Sequence, residues 1–467
     1  MALSVEENKK LKKISQNILS DLEKAGGYYI GSKFDRKKNR MMPSPSPYYI
    51  SQRKLSLCET NGEKIFKMWD TTQMLYKKAI LGEIEEPNLI LQTIEGDITQ
   101  AQREVQRLIA RKQSTLPIFA RADLTSFWHL AEVQERMGAL GLFQNWLEAI
   151  KKNIPLEEGT EYIGKESLID DIVKGIIEST QKEDPTVVLI TPKNYLAEQK
   201  SLAKKLSSLG IITFVVEKDK LDNLKVKDGY IYYPVNRKKQ VKVDFIYRRE
   251  VNAAILANSN IGKNIIEASI ENKVVCEPPL NMIYDTKSPL AFVKHPRLSK
   301  FFTNESEIVP ETSFIPANKN LSFIYKGQNL NLEQILDLSV SKRLFVIKYS
   351  GPNIEYGFGG RGVFNVNDSR RSANRVLDIA IEQVKLGNPW IIQNYDKTRA
   401  HLIWLDKSNE VKETNKSASR WMVYYRREKN GKVNLFNIMG TNRPGDSWKA
   451  SGSPKSVVQT VRFLPKS

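Results

Sequence analysis

Residues 186–216 read TVVLITPKNYLAEQKSLAKKLSSLGIITFVV. TVVLIT has the length and β-branched content of a buried strand. LAEQKSLAKKLSSLG is an amphipathic helix closing on Gly210. IITFVV is a second apolar run and reads as another buried strand. A strand, a helix and a strand in that order form a βαβ unit, whose strands run parallel. Outward from it, SLIDDIVKGIIEST is a helix, GYIYYP and KVDFIYRR add strands, IGKNIIEASIENK adds a helix, and VVCEPP ends a strand. The fold class is therefore α/β, in the wider α+β sense, with a parallel core over residues 161–304.

The texture differs on either side. Residues 3–25 form an amphipathic helix, with Leu11, Ile14, Ile18 and Leu22 near helical spacing. A basic, proline- and serine-rich connection follows, KFDRKKNRMMPSPSPYY, and its prolines exclude a helix. Residues 60–115 read as helical in pieces, PIFARADLT and HLAEVQER as two strands around a short turn, and LFQNWLEAIKKNI as a helix. After residue 305 the runs RLFVIKYS, GRGVFNV, WIIQNY, HLIWL, RWMVYYRR and VNLFNIMG suggest an antiparallel sheet. One helix, RRSANRVLDIAIEQVKLG, interrupts it. The division is 1–45 (helix and basic linker), 46–160 (helices and a strand pair), 161–304 (α/β) and 305–467 (sheet with a Gly-rich loop).

A chain of 467 residues is too long for one small core, and 40% hydrophobic with 27% charged residues is ordinary for a globular protein. No run approaches the ~20 apolar residues of a membrane span. MALSVEENKKLKKISQ has no apolar signal region. Two cysteines, Cys58 and Cys276, and three histidines, 129, 295 and 401, have no metal-ligand spacing. A reduced, cytoplasmic chain without a membrane partner is the expectation. The net charge of +19 admits a nucleic-acid partner or a site for anionic ligands. From Lys412 onward there are twelve Lys/Arg against three Asp/Glu, but on strand-like runs. That favours an anion-lined cleft over a nucleic-acid arm.

Four constellations can carry chemistry. In FVIKYSGPNIEYGFGGRGVFNV a strand delivers Lys348 into a loop with Gly357, Gly359, Gly360, Arg361 and Gly362. Glycines admit backbone N–H groups close to phosphate, and a guanidinium adds a fork of donors. The loop fits neither a Walker nor a dinucleotide pattern; a ligand-free Gly-rich hairpin is the competing reading. PWIIQNYDKTR, with Gln393, is a candidate adenine hinge or a core strand. In RADLTSFWHLAEVQ, Arg121 and Asp123 share one strand face, and Glu132 and Gln134 share one on the next. Two carboxylates and an amide oxygen suit a hard ion such as Mg²⁺; a solvent-facing polar stripe has the same pattern. At the end of VDFIYRRE, Arg248 meets the place where parallel sheets bind ligands, or makes an ion pair.

These pieces occur in a telling order. RADLTSFWHLAEVQ, VDFIYRR, VVCEPPLNMIYDTKSPLAF with Lys287, VIKYSGPNIEYGFGGRGVF and WIIQNY together resemble the circularly permuted ATP-grasp ligases, a family with glutathionylspermidine synthase-like and glutathione synthetase-like members. The likeness spans roughly residues 40–460 as scattered motifs. It departs where Gln134 replaces asparagine and where GALG, 138–141, replaces a more glycine-rich turn. The resemblance implies an ATP-grasp-type fold and Mg²⁺-ATP-dependent joining of a carboxylate to an amine through an acyl phosphate. It implies Mg²⁺ on Asp123, Glu132 and Gln134, and ATP on Lys287, Lys348, Gly357, Gly359, Gly360, Arg361, Gly362 and Gln393. Arg121 and Arg248 would act on the reacting groups, and Arg420 and Arg443 would hold a substrate carboxylate or phosphate. Two other readings are an ATP-binding protein without turnover and, with less support, a nucleic-acid-binding protein.

Overall fold

The computed structural model describes residues 3–25, 41–126, 129–135, 137–138, 140–164, 167–318, 322–325, 328–353, 362–395, 400–445 and 456–464. Its largest sheet is built from distant parts of the chain. Strands Met42–Pro43, Val457–Leu464, Val433–Pro444, Ser417–Arg427, Phe119–Ser126 and His129–Gln134 lie side by side in that order. Tyr48–Ser51 and Glu161–Tyr162 also pair with Val457–Leu464.

Alternation along the Phe119 strand sorts its side chains to two layers. Ala120, Ala122 and Leu124 join the core under the long helix Gln52–Leu81, with Trp421, Val423 and Tyr425. Phe119 faces the other way with Met422 and Tyr424, into a core shared with helices Leu140–Asn153 and Leu168–Thr180. That second core also holds Val187, Leu189, Phe245 and Tyr247 of the parallel sheet. The polar residues Arg121 and Asp123 continue this second face.

The parallel sheet has the order Val275–Glu277, Phe245–Arg248, Thr186–Thr191, Ile212–Glu217. The βαβ reading of residues 186–216 thus matches the chain. One detail differs: Ile212–Glu217 is an edge strand, and only Val216 in it is buried. An edge position leaves one flank uncovered, which composition does not reveal. KVDFIYRR also divides. Gln240–Lys242 belongs to a separate antiparallel sheet with Tyr230–Pro234 and Lys225–Lys227, and Phe245–Arg248 belongs to the parallel one.

The strands after residue 305 do not form one sheet. Thr312–Phe314, Trp390–Asn394, Phe345–Tyr349 and Val363–Asn365 make a four-stranded antiparallel sheet, in that order. Helix Arg370–Lys385 shares its core. Leu402–Leu405 and Val411–Thr414 form a hairpin, and the last three strands enter the large sheet. The end of the proline-rich connection is likewise not all loop, since residues 42–43 and 48–51 run parallel to the C-terminal strand. No described helix is long and apolar enough to cross a membrane. The whole is a mixed α+β fold in which helices cover several separate sheets.

Candidate active site

Strands Phe119–Ser126 and His129–Gln134 pair antiparallel, with Arg121 opposite Gln134 and Asp123 opposite Glu132. Directly opposed residues share a face, so the four side chains named from the sequence stand together. On the other side of Asp123, Met422 is its partner, and Arg420 lies one step further along that face. Arg443 is on the same face: it opposes Ala418, while Thr441 opposes Arg420.

Asp123 is buried and receives three N–H donors. Arg121 gives Nε at 2.8 Å to one oxygen and Nη2 at 3.1 Å to the other, and Arg420 Nη1 approaches the second at 2.8 Å. Arg420 also donates Nε to Thr441 Oγ1 at 3.2 Å. Burial lowers the Arg420 pKa, and Asp123 restores only part of that. At Arg121 burial acts in the same direction, but Asp123, Tyr424 and Glu132 together outweigh it, so its pKa is raised. Both guanidiniums stay charged at neutral pH. Charge-assisted bonds of this kind are short and strong.

The next layer comes from two other parts of the chain. Lys287, at the start of helix Ser288–Phe292, brings Nζ to 3.2 Å from Glu132 Oε1. Its backbone N–H donates to Ser350 O at 3.0 Å, which ties that helix to the end of the Lys348 strand. Lys348 is buried, and its Nζ donates to Ala131 O at 2.6 Å and to Gln393 Oε1. Gln393 in turn donates to Thr312 Oγ1 at 3.1 Å and Leu130 O at 3.4 Å. Burial pushes Lys348 down to about 8, with Glu132 pulling it back up. Burial pushes Glu132 up, and Lys287 and Lys348 together overcome it and hold the carboxyl below its ordinary range.

Arg121, Asp123, Glu132, Gln134, Lys287, Lys348, Gln393 and Arg420 thus meet in one corner. Gly362 lies where the strand returns, its carbonyl accepting from Tyr349 N at 2.8 Å. Gly357, Gly359, Gly360 and Arg361 lie outside the described residues.

Arg248 has a different place. It is fully buried, and its donors go to the carbonyls of Pro278 at 2.7 Å, Val251 at 3.2 Å and Pro279, with Asp285 Oδ2 3.6 Å away. A guanidinium committed to backbone carbonyls braces the segment after Val275–Glu277. Its neighbour Arg249 reaches the site instead. Arg249 Nη2 lies 2.6 Å from where a Cβ on Gly138 would stand, and the Gly138 carbonyl accepts from Arg121 Nη1 at 3.4 Å. Glu198 and Glu250 lie 3.5 Å and 3.0 Å from Arg249, and Tyr195 stacks on its guanidinium, 4.4 Å from the ring centroid. Successive residues leaving a strand point to opposite sides, so the RR doublet itself held the signal that one arginine would face the strand pair.

Oxygen ligands on opposed strand positions suit Mg²⁺, which commonly takes one or two carboxylates beside phosphate oxygens and water. Here those carboxylates are neutralised by Arg121, Arg420 and Lys287. The described residues contain no group of three or more His, Cys, Asp or Glu side chains placed to hold a metal alone.

No family model matches the sequence, and no curated protein matches it. A solved structure does match in fold: a glutathione synthetase-like effector from Globodera pallida, in its apo form. The match covers 97% of both chains with a TM-score of 0.55, at 10% identity.

Proposed function

We propose that the protein is a Mg²⁺-ATP-dependent carboxylate–amine ligase that works through an acyl phosphate and releases ADP and phosphate. The observation that carries this reading is the meeting of Lys287 and Lys348 with Glu132 beside the Arg121–Asp123–Arg420 cluster. The glutathione synthetase-like fold supports it at the level of architecture.

A carboxylate is a poor acyl donor at neutral pH. Taking the γ-phosphoryl group of ATP makes it an acyl phosphate, and the amine then displaces phosphate. Such a transfer needs positioning and charge neutralisation more than a protein nucleophile. Lys348 and Lys287 neutralise nucleotide phosphates, and Gln393 keeps Lys348 in place. Arg121 and Arg420 steady the transferring group, and Arg443 serves a substrate carboxylate or phosphate. Glu132 and Asp123, with the Gln134 amide oxygen, would hold Mg²⁺, which would supply neutralisation of phosphate charge. By the resemblance, Gly357, Gly359, Gly360, Arg361 and Gly362 would offer backbone and guanidinium N–H groups to those phosphates.

The test is ADP and phosphate release from ATP and Mg²⁺ with pools of amino acids, peptides and polyamines, with mass spectrometry of the product. Release of AMP and pyrophosphate sinks the acyl-phosphate route. A second reading has an observation of its own: both Asp123 oxygens already accept from arginines, so the site can bind nucleotide without turning it over. ATP binding with no ADP release from any pool selects that reading.

A further inference from the structure

The antiparallel sheet Lys225–Lys227, Tyr230–Pro234, Gln240–Lys242 contributes nothing to the corner described above. Its inner face carries Val226, Ile231 and Tyr233, packed with Phe214, Val243 and Ile265. Its outer face follows from the register. Lys225 opposes Tyr232, Tyr232 opposes Lys242, and Lys227 opposes Tyr230. Two tyrosines two residues apart therefore stand among three lysines. Lys242 Nζ lies 3.6 Å from the Tyr230 ring centroid, and Lys273 Nζ lies 5.3 Å from it. Lys273 also pairs with Glu271 at 2.7 Å.

The turn at one end adds more charge in a defined shape. Asn236 Oδ1 accepts from Lys238 N at 2.9 Å and Lys239 N at 2.8 Å, and Val235 N donates to Lys239 O at 2.9 Å. This holds Arg237, Lys238 and Lys239 exposed in succession. Residues 225–242 carry six Lys/Arg against one acid, Asp228.

We propose that this outer face binds single-stranded nucleic acid, with Tyr232 as the stacking surface and Lys225, Lys227, Lys242 and the Arg237–Lys239 turn along the phosphates. Bases have a π-face that stacks on tyrosine whatever the sequence, and cations beside the rings follow the backbone. A membrane surface would use protruding apolar groups, and here Val226, Ile231 and Tyr233 turn inward, leaving Val235 as the exposed apolar residue of the turn. The C-terminal cations that argued against a nucleic-acid arm are a different set.

The experiment titrates the full chain into a fluorescein-labelled single-stranded oligouridylate 20-mer between 50 and 200 mM salt, reading anisotropy. Tyr232→Ala should weaken binding by about tenfold while Tyr232→Phe retains it. Changing Arg237, Lys238 and Lys239 together to alanine should lower the slope of log affinity against log salt by about 2. The side chains changed in the turn are exposed, and an unchanged thermal midpoint certifies the fold. Three results overturn the proposal: no binding at 50 mM salt, binding that Tyr232→Ala leaves unchanged, or binding only to phosphatidylserine vesicles. ADP release should be the same in all these variants, so this test and that of the ligase reading fail separately.

Discussion

Lys348 shows how one side chain joins two sheets. Its strand belongs to the four-stranded sheet, and its ammonium ends on Ala131 O of the large one. Lys348→Met keeps the length and removes the charge. Nucleotide affinity measured by titration calorimetry should drop at least tenfold, roughly the 1.5–3 kcal/mol of a charged hydrogen bond. The thermal midpoint should change little, because the lost bonds are offset by relief of a buried ammonium that already sits at about 8. Gly138 sits between two arginines. Gly138→Ala places a methyl 2.6 Å from Arg249 Nη2. The displaced guanidinium should cost about 1–3 kcal/mol in chemical denaturation, and ADP release should fall with it. Alternation on a strand was enough to put Arg121 with Asp123 and Glu132 with Gln134. It was not enough to choose Arg249 over Arg248, because which side of the sheet held the site depended on the neighbouring layers.

Glu277 belongs to the scale of elements, since it fastens the parallel sheet to the start of the Phe119 strand. Its carboxyl accepts from Ile118 N and Phe119 N, each at 3.1 Å. Burial pushes it up to about 8; the two N–H bonds and Arg248 pull down, and Glu135 pushes up. A carboxyl with a raised folded pKa binds its proton more tightly in the folded state. Stability is then fullest below about 4.5, the unfolded value, and falls as pH rises through about 8. The thermal midpoint should therefore decline between about pH 5 and 8, and Glu277→Gln should flatten that decline. If the slope survives the substitution, another group is responsible. Helix Leu168–Thr180 tests a simpler rule. Ser167 and Asp170 form a capping box at its start, so Ser167→Ala should cost about 1 kcal/mol in urea unfolding. Both the helix and its cap are readable from SLIDD alone, whereas the tie through Glu277 joins residues far apart in the chain and leaves no local trace.

The large sheet governs the whole molecule. Val457–Leu464 pairs with Met42–Pro43, Tyr48–Ser51, Glu161–Tyr162 and Val433–Pro444. Removing residues 457–467 should leave those strands with unpaired backbone groups and abolish the cooperative thermal transition seen by circular dichroism. For the same reason a fragment of residues 305–467 should not fold alone, because its strand Ser417–Arg427 needs Phe119–Ser126 beside it. A dispersed amide spectrum from that fragment would contradict this account.

Local periodicity settled the helices, most strands and the βαβ core, since those depend on side chains a few residues apart. It also placed the Arg121, Asp123, Glu132 and Gln134 group on one face, because that group needs only two adjacent strands. The tertiary structure alone decided that the described strands after residue 305 divide among four sheets, that IITFVV is an edge, and that Arg248 is a buried brace. It alone carried Lys287, Lys348 and Arg420 to the same corner. Those outcomes rest on pairing between strands hundreds of residues apart and on which layer covers each face, and neither is encoded in a local pattern.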